Sequence, residues 1–354
     1  MRYVLSTCLF LILLGCGADA ERKREDAILS GQILLDTLRC QEAIEVLEEV
    51  GRDSKNIVYT KTLASAYACR AGYNTPSFFT DDLPNVSNSG SVIGSLTTFT
   101  NASTNNAPDN DAFEDMQTAI NLLLYAGGLD STKDPTVQRR ATALKSDEAE
   151  EVNAYLLFLI LDQLGRYFYH YGDADSSGVK GGRDDGKNEC LANYNSGTYD
   201  TDAVVNFGAG DILPGTKMSD VLAKIHGLGI SGECGNGADD DGDAVADEGH
   251  PDFGSATNLR EARLCQGVIL WNNFRKILVE VLANVTSDDF GELDNISAAL
   301  DTQVGYLETA LPLSSTYVTN TLSQTKCVAD NNALGTTEYL EWYFVFIFEA
   351  LFGS

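Results

Sequence analysis

Two acidic segments hold the residues best suited to chemistry. In Asp173-Ala174-Asp175-Ser176-Ser177-Gly178-Val179-Lys180-Gly181-Gly182-Arg183-Asp184, oxygen-bearing side chains fill the first, third and fifth places, glycine the sixth and an acid the last. Alternate residues on a tight turn converge their oxygens on one point, and Ca²⁺ takes about six to eight hard oxygens. The expected ligands are Asp173, Asp175, Ser177, the Val179 carbonyl and Asp184. Further on, Asp239, Asp241, Asp243, Val245 (through its carbonyl) and Asp247 repeat the alternation. Crowding acids from Asp239 to Glu248 is costly without a counter-ion, because like charges repel at short range. Ca²⁺ is therefore the expected cofactor, structural in role, and an extracellular-type affinity of about 10⁻⁴–10⁻³ M would suffice.

The first segment resembles an EF-hand loop. Asp184 replaces the longer bidentate Glu of that family, Lys180 stands where an apolar residue is usual, and no clear exiting helix follows. A helix-loop half-site is the expectation. The second segment is similar to the Asp-rich calcium loops of extracellular bacterial and thrombospondin-type repeats. Ala244 takes its glycine position and His250 its last, so closing oxygens would come from Asn236, Glu248 or Asp252.

Other chemistries find no support. His170, His226 and His250 form neither HExxH nor an i, i+4 pair, and His170 reads as a helix C-terminal cap. There is no GxSxG, and no GxGxxG in a strand–helix setting. Gly181 to Lys187 approaches a Walker loop, but Asn188 stands where the magnesium-binding hydroxyl belongs. No enzyme activity is expected. With 24 Lys+Arg against 52 Asp+Glu the formal charge is −28, which repels phosphate backbones and argues against nucleic acid.

The compartment is written at the N-terminus. A positive start at Arg2 and an apolar run from Val4 to Leu14 are too short to span a bilayer and read as a signal peptide over residues 1–15. Leu13-Leu14-Gly15-Cys16 resembles the bacterial lipobox. That resemblance implies cleavage before Cys16, lipidation of its sulfur and acylation of its new amino group, and so a lipid bilayer as partner. Gly17, rather than the Asp that signals inner-membrane retention, points to the outer membrane of a Gram-negative cell, periplasmic or surface-facing. Residues 16–26 are expected as a lipidated polar tether. Six further cysteines, Cys40, Cys69, Cys190, Cys234, Cys265 and Cys327, suit three disulfides in an exported chain. Cys40–Cys69 is the expected local pair, and the other pairings stay open.

The elements that position these residues read as helices. Apolar residues recur at helical spacing through 27–50, with a tight turn at Leu38-Arg39-Cys40. Gly31, Leu34, Ala43 and Leu47 fall on the small and large positions of a tetratricopeptide repeat, and Leu63-Ala64 with Tyr67 begin a second unit close to that family's period. Residues 24–75 therefore resemble about one and a half such repeats, and the unit is expected over 27–79. Residues 80–111 read as a polar loop with a short helix around Val92–Phe99. Residues 112–354 read as a helical domain carrying the acidic loops at 172–190 and 234–252. Its expected helices are Phe113–Tyr125, a central buried helix capped by Ser146 and running to Tyr171, Met218–His226, Asn258–Val285 and Glu292–Leu311. The apolar run before Glu349 reads as a docked core helix. The fold class is all-α, a helical-repeat-like bundle stapled by disulfides. The expected role is a membrane-anchored scaffold for another envelope protein. The alternative is a small-ligand-binding accessory lipoprotein of a periplasmic transporter.

Overall fold

The apolar spacing of residues 27–50 closes into a helix hairpin. In the computed structural model, α1 (Arg2–Asp36) turns through Thr37–Arg39 into α2 (Cys40–Glu49), and α3 (Ile57–Arg70) packs on both. Leu38 takes a positive φ of 57° at the turn, and the Arg39 N–H donates to the Leu34 carbonyl at 2.9 Å. The structure describes residues 2–87, 91–104, 110–172, 174–180, 190–192, 194, 205–206, 210–226, 257–284, 291–310 and 317–352.

The segment expected as a tether lies within α1 and is helical. After α4 (Thr75–Ser77) and a π-helical turn Phe78–Asp82, the described residues of the segment expected as a polar loop, 80–111, form a 3-10 turn Leu83–Ser87, the expected short helix as α5 (Val92–Thr97) and a 3-10 turn Ala102–Thr104. Ile93, Leu96 and Phe99 are buried there, so a few apolar anchors outweigh the polar composition around them.

The body follows as α6 (Asp111–Leu124), α7 (Val137–Ala143) and the central α8 (Ser146–Tyr171). Ser146 does not cap α8. Lys145 holds the cap position, Glu148 Oε2 accepts the Lys145 N–H at 3.1 Å, and Ser146 Oγ pairs with Glu150 Oε1. α8 is apolar nearly all round and packs on α5, α6 and α10 (Thr257–Asn284). Gly165 lets α5 cross closely, because a Cβ there would stand 2.4 Å from the Leu96 carbonyl oxygen.

Beyond α8 come a two-residue antiparallel pair, β1 (Val205–Asn206) and β2 (Asp211–Ile212), then α9 (Met218–His226). After α10 the chain continues through α11 (Gly291–Ala310), α12 (Tyr317–Asn320) and α13 (Gln324–Leu334). It ends in α14 (Glu338–Tyr343), a π-helical turn Phe344–Glu349 and α15 (Ala350–Phe352). This last stretch is buried along Leu340–Phe352, as a docked core helix requires. Phe168, Trp271 and Phe348 meet edge-on where α8, α10 and the terminal segment converge, with ring centroids 5.0–5.8 Å apart.

The fold is all-α and disulfide-stapled. Cys40–Cys69 is formed as expected, and Cys265–Cys327 joins α10 to α13. Cys190 is disulfide-bonded too, while Cys234 lies outside the described residues.

Candidate functional site

The N-terminal unit is built on small-against-large packing. A Cβ at Gly31 would meet the Leu47 side chain at 3.1 Å, so glycine sets the approach of α1 to α2. Ile28, Ala43, Ile44, Leu47, Tyr59, Leu63 and Ala66 form a core separate from that of the body. The Tyr59 hydroxyl donates to the Leu47 carbonyl at 2.9 Å, and burial, aided by Glu48, pushes its pKa up to about 12. Glu48 Oε1 accepts from Tyr67 Oη at 3.0 Å and from Arg52 Nη2 at 2.6 Å. Burial works against ionisation of Glu48, yet these bonds hold its carboxyl below the usual range.

The outward side of this unit is unlike its core. Leu29 and Ile33, one turn apart on α1, are 59% and 57% exposed, and Leu38 at the turn is 68% exposed. The same unit also carries an open groove of about 520 Å³ between α1 and α2, lined by Ala20, Lys23, Arg24, Ser30, Val46 and Glu49 among others. Arg24 reaches across to Asp53 at 3.0 Å. The surface combines apolar side chains with both signs of charge, a composition suited to a protein partner.

Residues 174–180 of the first acidic segment fold as a tight turn after α8. Ala174 and Lys180 form a β-bridge, and the Asp175 N–H donates to the Val179 carbonyl at 3.0 Å. Asp175 Oδ1 accepts from the Ser177 N–H (2.8 Å), the Ser177 hydroxyl (2.6 Å) and the Val179 N–H (3.0 Å). Slight burial opposes ionisation of Asp175, but these donors lower its pKa below the ordinary carboxylate value. The structure thus brings together Asp175, Ser177 and Val179. One carboxylate oxygen and the Val179 carbonyl are already engaged by the turn, so these three residues alone make no calcium cage. Asp173 and Asp184 lie outside the described residues, as do Asp239, Asp241, Asp243, Val245 and Asp247. Among the described residues no three His, Cys, Asp or Glu side chains gather as a metal cluster.

Comparison with family models, with curated proteins and with solved structures finds no match. The chemistry must be read from the chain itself.

Cys16 lies on α1, and its side chain is outside what the structure describes. No described helix is long and apolar enough to cross a membrane. His170 sits buried in the last turn of α8 with its ring edge-on to Tyr171 at 4.9 Å, packed into the body.

Sequence reasoning missed the buried charges. Lys180, the residue that departs from the EF-hand pattern, turns inward and pairs with Glu349 at 2.7 Å. Asp162 and Arg166 pair at 2.8 Å with both side chains wholly buried, and burial raises the Asp162 pKa against the pull of Arg166. Their i, i+4 spacing on an otherwise apolar helix was the available signal.

Proposed function

We propose that this chain is a lipid-anchored envelope scaffold whose N-terminal helices present a surface to a protein partner. The observation that carries the reading is the outward face of α1, where Leu29 and Ile33 stand exposed on a disulfide-stapled unit that also carries a mixed-charge groove. Exposed aliphatic side chains rimmed by polar groups are a recurring mark of interaction surfaces. The lipobox-like Leu13–Cys16 lies on the same helix. At 1.5 Å per residue, an anchor at Cys16 would stand about 20 Å from Leu29 along α1. In this reading the acidic loops bind Ca²⁺, which fastens long connections to the body.

The test uses the full chain in cells of a Gram-negative host. A photo-crosslinking residue at position 29 or 33 should capture one discrete protein, and Leu29→Glu with Ile33→Glu should abolish that adduct while leaving the fold intact by circular dichroism. Cys16→Ser should move the protein from the membrane fraction to the soluble fraction. Retention of a small molecule by the purified protein, with no adduct formed, would replace the scaffold by a ligand-binding accessory.

A further inference from the structure

We propose that Lys180 and Glu349 condense to form an intramolecular isopeptide bond, a covalent brace between the turn after α8 and the C-terminal helical segment. Their side chains are 1% and 3% exposed, with Lys180 Nζ 2.7 Å from Glu349 Oε2. The other carboxylate oxygen, Oε1, accepts hydrogen bonds from the Leu191 N–H at 2.8 Å and the Tyr194 hydroxyl at 2.6 Å. The Phe352 ring lies 5.3 Å from Nζ, an apolar wall beside the amine.

This arrangement separates the roles that acyl transfer needs. An amine stands beside the oxygen that must leave, and two fixed donors face the oxygen that must take up charge. Within the pair a proton passes from the ammonium to Oε2, giving a neutral amine and acid that escape the cost of holding two ions away from water. The nitrogen lone pair attacks Cδ, and Oε1 takes the negative charge under Leu191 N–H and Tyr194 O–H. Nitrogen then releases a second proton to the Oε2 hydroxyl, the Cδ–Oε2 bond breaks and water leaves. One amide forms, one water is released, and no oxidant or co-reactant enters. Fixed neighbours react as though at an effective concentration of about 10⁵–10⁸ M, which offsets the unfavourable equilibrium of condensation in bulk water.

The brace would close a loop spanning 169 positions, far longer than either described disulfide loop. It would survive reducing agents.

Tandem mass spectrometry of a digest of the reduced, denatured full chain decides the matter. The expected result is a branched peptide joining the segment that holds Lys180 to the segment that holds Glu349, lighter than the sum of the two by one water. A succinimide elsewhere also loses water but joins no peptides, so the branch is the readout. Tyr194→Phe keeps the ring and removes one donor, and should slow accumulation of the branched peptide about tenfold or more, matching loss of one oxyanion donor. Recovery of the Lys180 and Glu349 peptides wholly unlinked from folded wild-type protein overturns the proposal and leaves an ion pair.

Discussion

Arg70 on α3 and Asp115 on α6 face each other in a two-pronged ion pair, with Nε 2.6 Å from Oδ2 and Nη2 2.5 Å from Oδ1. The same guanidinium reaches Gln41 on α2 through Nη1 and stacks 5.3 Å from the Tyr67 ring. One side chain thereby ties the N-terminal unit to the body. Bidentate geometry makes the pair directional, and partial exposure of Arg70 tempers its strength. Asp115→Ala is expected to lower stability by about 1–2 kcal/mol. A double-mutant cycle with Arg70→Ala in urea unfolding checks it, and additivity of the two changes would show that the pair does not couple the units.

Among the described residues, Arg140 is paired with no carboxylate. Its Nε donates to Asn153 at 2.8 Å and its Nη1 to the Pro135 carbonyl at 2.6 Å, with a longer bond to the Leu124 carbonyl at the end of α6. Burial lowers its pKa to about 10. Here a cation answers the partial negative charge of a helix C-terminus in the protein interior. Arg140→Leu should cost about 2–4 kcal/mol, because buried carbonyls lose their donors. A urea midpoint equal to that of the wild type would refute this role.

High pH should unfold the protein. Tyr59 titrates near 12 in the fold, and burial raises the pKa of Tyr167, Tyr194 and Tyr343 as well. A phenol whose folded pKa lies above its unfolded value of about 10 adds stability that is complete below pH 10 and is lost as pH rises toward the folded value. Arg140 and Lys276, whose pKa values burial lowers, act in the opposite sense but are two groups against several. Tyrosinate absorbance should therefore rise late and cooperatively with loss of helix signal above pH 10. Gradual titration with unchanged circular dichroism would contradict it.

The two described disulfides should differ in weight. Cys40–Cys69 closes 29 positions and Cys265–Cys327 closes 62. Chain-entropy estimates put their contributions at about 3.6 and about 4.3 kcal/mol. Paired serine variants of each, compared by urea unfolding under oxidising conditions, should show the larger loss for Cys265–Cys327. The reverse order would mean that enthalpic terms, not loop closure, set the ranking.

Calcium should raise the melting temperature of the full chain if the acidic loops bind it. At tenfold excess over the dissociation constant the gain is about 1.4 kcal/mol for one site. Asp175→Asn and Asp241→Asn, titrated separately by calorimetry, assign each ion to its loop. No heat and no shift at millimolar calcium removes the ion from the proposed function.

Long periodic helices were legible in the sequence. Met218–His226 matches its expected limits, and α8 and α10 lie within a residue or so of theirs. The turn at Leu38 and the Cys40–Cys69 pair were legible too, because local spacing dictates both. Between Thr75 and Thr104 the short helix near Val92 was legible but the turns before and after it were not, since Ser, Thr and Asn residues cap them while Ile93, Leu96 and Phe99 anchor them, a balance set by the neighbouring α8. Of the candidate surface, the helices were foreseeable, but which face of α1 stays open was not. Lys180 and Glu349 are 169 positions apart, and no pattern in the chain links them before it folds.

The Cys40–Cys69 bond also governs how the molecule would carry a load. It joins the first residue of α2 to the last turn of α3, so the covalent path bypasses everything between. Tension applied at the N-terminal end of α1 would strip that helix from α2 in shear and pay out slack only as far as Cys40. From there the force crosses directly to Cys69, and through Arg70 and Asp115 into the body, leaving α2 and α3 unstretched. Under traction α1 is thus a leash of fixed length, and the disulfide is its stop knot.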